Sequence, residues 1–238
     1  MKEVLDYIDE RQAEFNRHLF VARLLEDRVD DEVLPEEGQV EVRHINTLKS
    51  GLLIHLYNIV EAVSTRTLVV VGQTIVTEKP RLWTEGVMKE WLRAVIWDGE
   101  DRIGEGVVKR LMGVSGVLAS GGAPDAFMVK GEPGSWDDAA IKNVAKRMGC
   151  SLNVPRAILR AASEPVYLNE MSAMKYLSSR RNAIAHGATT FEDGARDQTL
   201  AEISDLANRI LPFLKAVSIS YQTFLDTKAY LAPQEIAA

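Results

Sequence analysis

Cysteine is nearly absent from this chain of 238 residues, which contains only Cys150. A single thiol can form neither an intramolecular disulfide nor a thiolate cluster, which argues against a disulfide scaffold and a cysteine zinc site. Histidine is also scarce, and His18, His44 and His55 have no carboxylate or thiol at the spacing of a helical zinc site. The sequence therefore predicts no metal and no cofactor.

Long apolar runs and an excess of positive charge are missing as well. No run approaches the roughly 20 apolar residues that span a bilayer, and the charged N-terminal residues do not resemble a signal peptide. We therefore expect a soluble, cytoplasmic protein without a membrane partner. The net charge of −6 differs from that of proteins that coat nucleic acid, so any RNA site must be local.

Apolar residues do recur at helical spacing along most of the chain, and the hydrophobic content of 46% is enough for a substantial core. The pattern predicts long helices over residues about 2–30, 42–77, 84–97 and 197–230. Pro35 and Gly38 should separate the first two helices, and Pro212 should kink the last one. We predict a mostly α-helical protein, with residues 1–238 forming a single domain.

Glycine and proline concentrate between residues about 98 and 165, which indicates an insertion or a small subdomain. The glycines lack the strand, lysine and hydroxyl context of a phosphate-binding loop, so loop flexibility is the favoured interpretation. Within this region Asp137 or Asp138 should begin a short helix that ends at Gly149. A second short helix is expected over residues about 155–162.

The helix at about 42–77 is apolar on nearly every face, which predicts that other elements bury it. Between Gly51 and Thr77 its only formally charged residues are Glu61 and Arg66. A buried carboxylate needs a compensating cation. Glu61 therefore has to reach a polar cleft or pair with a cation from another helix.

A later segment supplies that cation. Asn169 should cap a helix that Gly187 terminates in the left-handed conformation. Arg181 lies on its apolar stripe, whereas Arg180 lies on the flank, so only Arg181 requires a carboxylate or a bound anion. We expect Arg181 to pair with Glu61, and we expect loss of Glu61 from such a buried pair to cost roughly 3 to 5 kcal/mol.

His186 lies in the last turn of the same helix, and Asn182 shares its face four residues earlier. The imidazole could serve as a general acid or base beside Arg181. It could equally do no more than complement the negative end of the helix dipole. The residues by themselves leave both interpretations open.

The six residues Arg181–His186, RNAIAH, resemble the Arg-x4-6-His signature of the HEPN superfamily, with Asn182 directly after the arginine. The sequence HLYNIVEA around Asn58 and Glu61, and YLSSRRNAIAHG around the motif, are similar to a prokaryotic HEPN branch often associated with defence loci. The resemblance covers about two thirds of the chain and excludes the glycine-rich region.

The resemblance implies a HEPN-like antiparallel helical bundle that acts as a homodimer with a composite active site. Its activity would be metal-independent endoribonuclease cleavage by attack of a 2′-hydroxyl on the adjacent phosphate. Arg181 would stabilise the phosphorane, His186 would be the acid or base, and Asn182, Glu61 and Asn58 would support them. In-line transfer benefits from both an acid and a base, which two copies of one histidine would supply.

Such a protein would act as a toxin or antiphage defence effector, with RNA as substrate and an antitoxin or defence-system protein as a further partner. The alternative is a non-catalytic HEPN module that binds a nucleotide or a partner protein. Presence of both Arg181 and His186 favours the enzyme, whereas the acidic balance favours the binding module.

Overall fold

The computed structural model describes residues 1–29, 40–96, 104–124, 126–131 and 136–233. The protein is mostly α-helical, and no β-strand forms within these ranges. Eight α-helices are present there: α1 Lys2–Glu26, α2 Val42–Ile75, α3 Glu85–Ile96, α4 Glu105–Ser120, α5 Asp138–Met148, α6 Arg156–Ser163, α7 Ala173–Ala185 and α8 Leu200–Asp226. None of these helices is both long and apolar enough to cross a membrane.

Helix α2 lies at the centre, in contact with α1, α7 and α8. It runs antiparallel to α1, since Lys49 pairs with Glu26 near one end and Arg66 contacts Tyr7 near the other. A hydrogen bond of 3.1 Å joins the hydroxyls of Thr67 and Ser218 across the interface of α2 with α8. The predicted central helix is thus confirmed, and its valine-rich part remains helical because the apolar stripe continues through it.

Local capping explains where α2 begins. The backbone N–H of Glu41 donates to Nδ1 of His44 at 2.9 Å, and the Glu41 side chain accepts a hydrogen bond from the backbone N–H of His44. His44 therefore has a structural task at the helix N-terminus. The break predicted at Pro35 and Gly38 lies outside the described residues, as does the end predicted for the third helix at about residue 97.

Helix α4 occupies part of the region where loops were favoured, so that interpretation is wrong for residues 105–120. Glycines in a helix interior cost up to about 1 kcal/mol each relative to alanine, which is why the composition suggested loops. Val107 and Val114, two turns apart on one face, are both buried, and this tertiary contact offsets the poor propensity. Whether residues 98–165 are an insertion stays a prediction.

The two short helices of this region are confirmed as α5 and α6. Asp137 caps α5 by accepting from the N–H of Ala140 at 2.8 Å, and Gly149 ends it at φ 73°. The Asp138 carboxylate then accepts hydrogen bonds from Lys142, Ser163 and Ser172, which tie α5 to the end of α6 and the start of α7.

Helix α7 begins one turn later than predicted. Ser172 is its N-cap and accepts from the N–H of Lys175, while Asn169 lies in a preceding 3-10 turn with φ 57°. Gly187 adopts the predicted left-handed conformation, at φ 71°. The last helix runs unbroken as α8 through Pro212, starting from a capping box at Thr199.

Candidate functional site

Arg181 extends from α7 across to the face of α2. Its guanidinium carbon lies 4.7 Å from the centre of the Tyr57 ring, and its Nη2 lies 3.8 Å from a carboxylate oxygen of Glu61. Its Nη1 donates to the side-chain oxygen of Asn182 at 3.1 Å. An aromatic ring, a carboxylate and an amide therefore hold the guanidinium from three sides.

Tyr57 is the residue of this site that sequence reasoning missed. Its ring is buried, and its hydroxyl accepts a hydrogen bond of 3.1 Å from the backbone N–H of Trp136. A ring fixed at both ends provides a rigid surface for Arg181. The available signal was its position on α2, one helical turn before Glu61, which places the two side chains on one face.

The predicted pair of Glu61 and Arg181 is present, but it is not buried. The two side chains keep 50% and 29% of their exposure, respectively. Such a partly solvated pair contributes at most about 1 kcal/mol, so the larger cost expected from the sequence does not fit this environment. The expectation that other elements bury α2 on nearly every face is wrong for one face, where Asn58, Glu61, Thr65 and Arg66 are exposed.

Arg180, which the sequence placed on the flank of the helix with no need for a partner, is the more buried of the two arginines, with 21% side-chain exposure against 29% for Arg181. It donates to the hydroxyl of Tyr176 at 2.9 Å and forms an ion pair with Asp197. Burial lowers the pKa of Arg180, but Tyr176 and Asp197 more than offset this and raise it above its usual value. Arg180 therefore fastens α7 to the following loop and leaves Arg181 for other contacts.

His186 is the C-cap residue of α7 and is exposed. Its backbone N–H donates to the carbonyl of Asn182 at 3.0 Å, and the left-handed Gly187 then turns the chain away. Within the described part of the chain, its imidazole makes no hydrogen bond and no ion pair. The ring is therefore accessible, but no protein group sets its orientation.

A shallow, open surface depression, the α2 groove, lies on the exposed face of α2. Its lining residues, Asn58, Glu61, Ala62, Thr65 and Arg66, all belong to this one helix. The contact of Arg181 with Glu61 marks one side of this groove, and the contact of Arg66 with Tyr7 of α1 marks the other. Of the two predicted supporting residues, Glu61 contacts Arg181, whereas Asn58 shares the exposed face of α2 with Glu61 and makes no contact with Arg181 that the structure shows.

The remaining histidines lie away from the motif. Nδ1 of His18 and Nδ1 of His55 are 3.2 Å apart, and Glu14 approaches Nε2 of His55 at 3.7 Å. Burial lowers the pKa of His55, and Glu14 opposes this effect. The described residues contain no group of three or more His, Cys, Asp or Glu side chains that could hold a metal ion.

The loop residue Trp136 is partly buried and packs against the core. Its ring lies against Gly131, and its backbone binds Tyr57. Trp83 and Trp91 form an edge-to-face pair in the interior, with ring centres 5.6 Å apart. Aromatic stacking on RNA bases therefore has no support from these three side chains.

Comparison of the chain with protein-family models, with curated proteins and with solved structures finds no match. Membership of the HEPN superfamily stays a prediction. The functional assignment rests on the chemistry of Arg181, Asn182 and His186 and of the neighbouring face of α2.

Proposed function

We propose that the protein is an endoribonuclease of HEPN type, acting as a homodimer without a metal cofactor. The observation that carries the proposal is the end of α7, where a positioned guanidinium and an accessible imidazole lie five residues apart. An arginine that binds phosphate and a histidine that transfers protons are the two functions that RNA transphosphorylation requires.

Arg181 is suited to the phosphate. Its nearest carboxylate oxygen lies at 3.8 Å, beyond a direct hydrogen bond, so N–H groups remain for a ligand. A guanidinium presents a planar fork that matches two phosphate oxygens. Because Tyr57 and Asn182 already hold the side chain, it needs little reorganisation as charge develops on the phosphorane.

His186 would transfer the protons. A base removes the proton of the 2′-hydroxyl as its oxygen attacks phosphorus, and an acid protonates the 5′-oxygen as the bond from phosphorus to that oxygen breaks. The products are a 2′,3′-cyclic phosphate and a 5′-hydroxyl. One chain contributes one histidine at this position, so a two-fold dimer with both α7 ends at one cleft would supply base and acid.

The test is incubation of purified protein with total RNA in EDTA, followed by analysis of the product ends. We expect 2′,3′-cyclic phosphates from the wild type and no cleavage by His186→Ala, with circular dichroism showing an intact fold. His44→Ala is the matched control, since His44 only caps α2. Cleavage that survives His186→Ala, or that requires added magnesium, contradicts the mechanism.

The composite site has its own test. Heterodimers with one wild-type and one His186→Ala subunit are purified through two different affinity tags. If the two histidines are the base and the acid of one reaction, these heterodimers lose nearly all activity. If each chain works alone, they retain about half of it.

As a toxin or antiphage effector, the wild-type protein should arrest bacterial growth on expression, while His186→Ala should be tolerated. Equal growth with both proteins contradicts the effector role.

One observation favours the alternative of a non-catalytic module that binds a nucleotide or a partner protein. Within the described ranges, no carboxylate or carbonyl orients the His186 ring, as a second group usually does for a general base. Binding of RNA or nucleotide that depends on Arg181, with unchanged RNA after long incubation, would establish this alternative.

A further inference from the structure

A second arginine lies on the opposite side of the α2 groove. Arg66 is exposed, and its guanidinium carbon lies 4.2 Å from the centre of the Tyr7 ring. Arg11 contacts the same ring at 5.4 Å, but Arg11 is paired with Glu14. Arg66 forms neither an ion pair nor a hydrogen bond with any other described residue. Its N–H groups are therefore free for a ligand.

Two further polar side chains share this groove. Asn58 and Thr65 are exposed, and neither makes a side-chain hydrogen bond within the part of the chain that the structure describes. From Asn58 to Arg66 the helix rises about 12 Å, given 1.5 Å per residue. At about 3.4 Å per stacked nucleotide, this length fits about three nucleotides of one strand.

The charges of the groove favour an anion. Tyr57 and Arg66 are nine residues apart and so project from nearly opposite sides of α2, about 180° apart. Each side of the groove thus carries one arginine held against a tyrosine ring. Glu61 lies between the two arginines but is paired with Arg181, so the three groups leave one net positive charge. On a chain with a net charge of −6 this is a local site for a polyanion.

We propose that Arg66, positioned by Tyr7, binds a second phosphate of a single-stranded RNA whose backbone lies along the α2 groove between Arg66 and Arg181. Asn58 and Thr65 donate hydrogen bonds to the same strand. The inference rests on the proposed function in taking RNA as the substrate class, and it adds a binding residue outside the Arg-x4-His motif.

The same geometry bears on specificity. Arg66 lies over the Tyr7 ring, 4.2 Å from its centre, and the Tyr57 ring is buried. We therefore expect the strand to be held through its phosphates and riboses rather than through its base edges. Binding through Arg66 is accordingly independent of base sequence.

The experiment measures binding separately from cleavage. A short fluorescein-labelled single strand, 2′-O-methylated throughout so that it cannot be cleaved, is titrated with protein while anisotropy is recorded at several salt concentrations. In the wild type and in His186→Ala alike, Arg66→Ala should weaken binding on the order of tenfold and lower the salt slope by about 0.7, the loss of one phosphate contact.

Arg156→Ala is the matched control. Arg156 is also exposed, lies on α6, and has no ion pair among the described residues. The substitution Arg156→Ala removes the same charge as Arg66→Ala and should leave the affinity for the RNA probe nearly unchanged. Tyr7→Phe keeps the ring and should bind as the wild type does, whereas Tyr7→Leu should weaken binding because Arg66 loses its support.

The outcomes separate this inference from the proposed function. Equal effects of Arg66→Ala and Arg156→Ala, or failure of the wild type to bind the probe, overturn the role of Arg66 even if the protein cleaves RNA. Binding that depends on Arg66, in a protein that never cleaves, supports the groove and contradicts the ribonuclease. Equal affinity for probes of different base sequence supports backbone recognition, and a strong preference contradicts it.

Discussion

Replacing Glu61 and Arg181 singly and together measures how strongly their ion pair stabilises the fold. In the structure the closest nitrogen and oxygen are 3.8 Å apart, and half of the Glu61 side chain is exposed. At this separation two charges in water attract each other by about 1 kcal/mol, and measured exposed pairs give about 0.2 to 1 kcal/mol. We therefore expect a coupling energy of about 0.5 kcal/mol.

The assay is urea unfolding of the wild type, Glu61→Gln, Arg181→Gln and the double variant, followed by far-ultraviolet circular dichroism. The coupling energy is the difference between the effect of the double variant and the sum of the single effects. Arg181→Gln alone should lower the free energy of unfolding by about 0.5 to 1 kcal/mol more than the coupling energy, because it also removes the contact of Arg181 with Tyr57. Added salt should reduce the coupling further.

A coupling energy of about 3 kcal/mol or more, or one that salt does not change, would refute this reasoning. It would mean that the pair is shielded from water, as the sequence pattern suggested. If the protein has the proposed ribonuclease activity, Glu61→Gln should retain it, since Tyr57 and Asn182 still hold Arg181. Complete loss of cleavage in Glu61→Gln would assign the carboxylate a direct role in the reaction.

Three further predictions concern stability and reactivity. Burial alone would raise the pKa of Asp138, but hydrogen bonds from three side chains hold it below its usual value. Its stabilisation is therefore present above the unfolded-state pKa and is lost as pH falls through the folded-state pKa, so Asp138→Asn should flatten the acid limb of stability against pH. An unchanged acid limb contradicts this. Burial raises the pKa of Cys150 to about 12, so its thiol should react with Ellman's reagent only as fast as the protein unfolds. Rapid labelling of the folded protein contradicts the burial. A Cβ at Gly72 would lie 1.9 Å from the carbonyl oxygen of Phe127, so Gly72→Ala should lower the free energy of unfolding by about 1 to 3 kcal/mol. Gly51→Ala, in the same helix with nothing within 4 Å, should raise it by up to about 1 kcal/mol.

Features that depend on neighbours in the chain could be predicted from the sequence. Helix α2 follows the apolar spacing from Val42 to Ile75, and α5 follows from the Asp137 cap and the left-handed Gly149. These features rest on side-chain periodicity and on hydrogen bonds between residues three or four positions apart. The same local spacing predicts that Arg181, Asn182 and His186 lie together near the end of one helix.

Other features needed contacts between distant segments. Helix α4 forms despite its glycines because Val107 and Val114 are buried by the fold, a contribution that helix propensity does not contain. Helix α7 starts at the Ser172 cap and not at the predicted Asn169, and the hydrogen bond of Ser172 with Asp138 joins the start of α7 to another helix. Local preference alone does not distinguish two cap residues three positions apart.

The candidate site likewise has features that depend on local sequence and features that depend on tertiary contacts. The sequence by itself determined that one helix carries an arginine, an asparagine and a histidine at its end, because helical spacing is a local property. Only the tertiary structure decided that Arg180 is tied to Asp197, that Arg181 lies on Tyr57, and that the face of α2 at Arg66 stays open. The physical reason is that the exposure of a charge depends on which helices pack beside it, and that packing joins residues far apart in the chain.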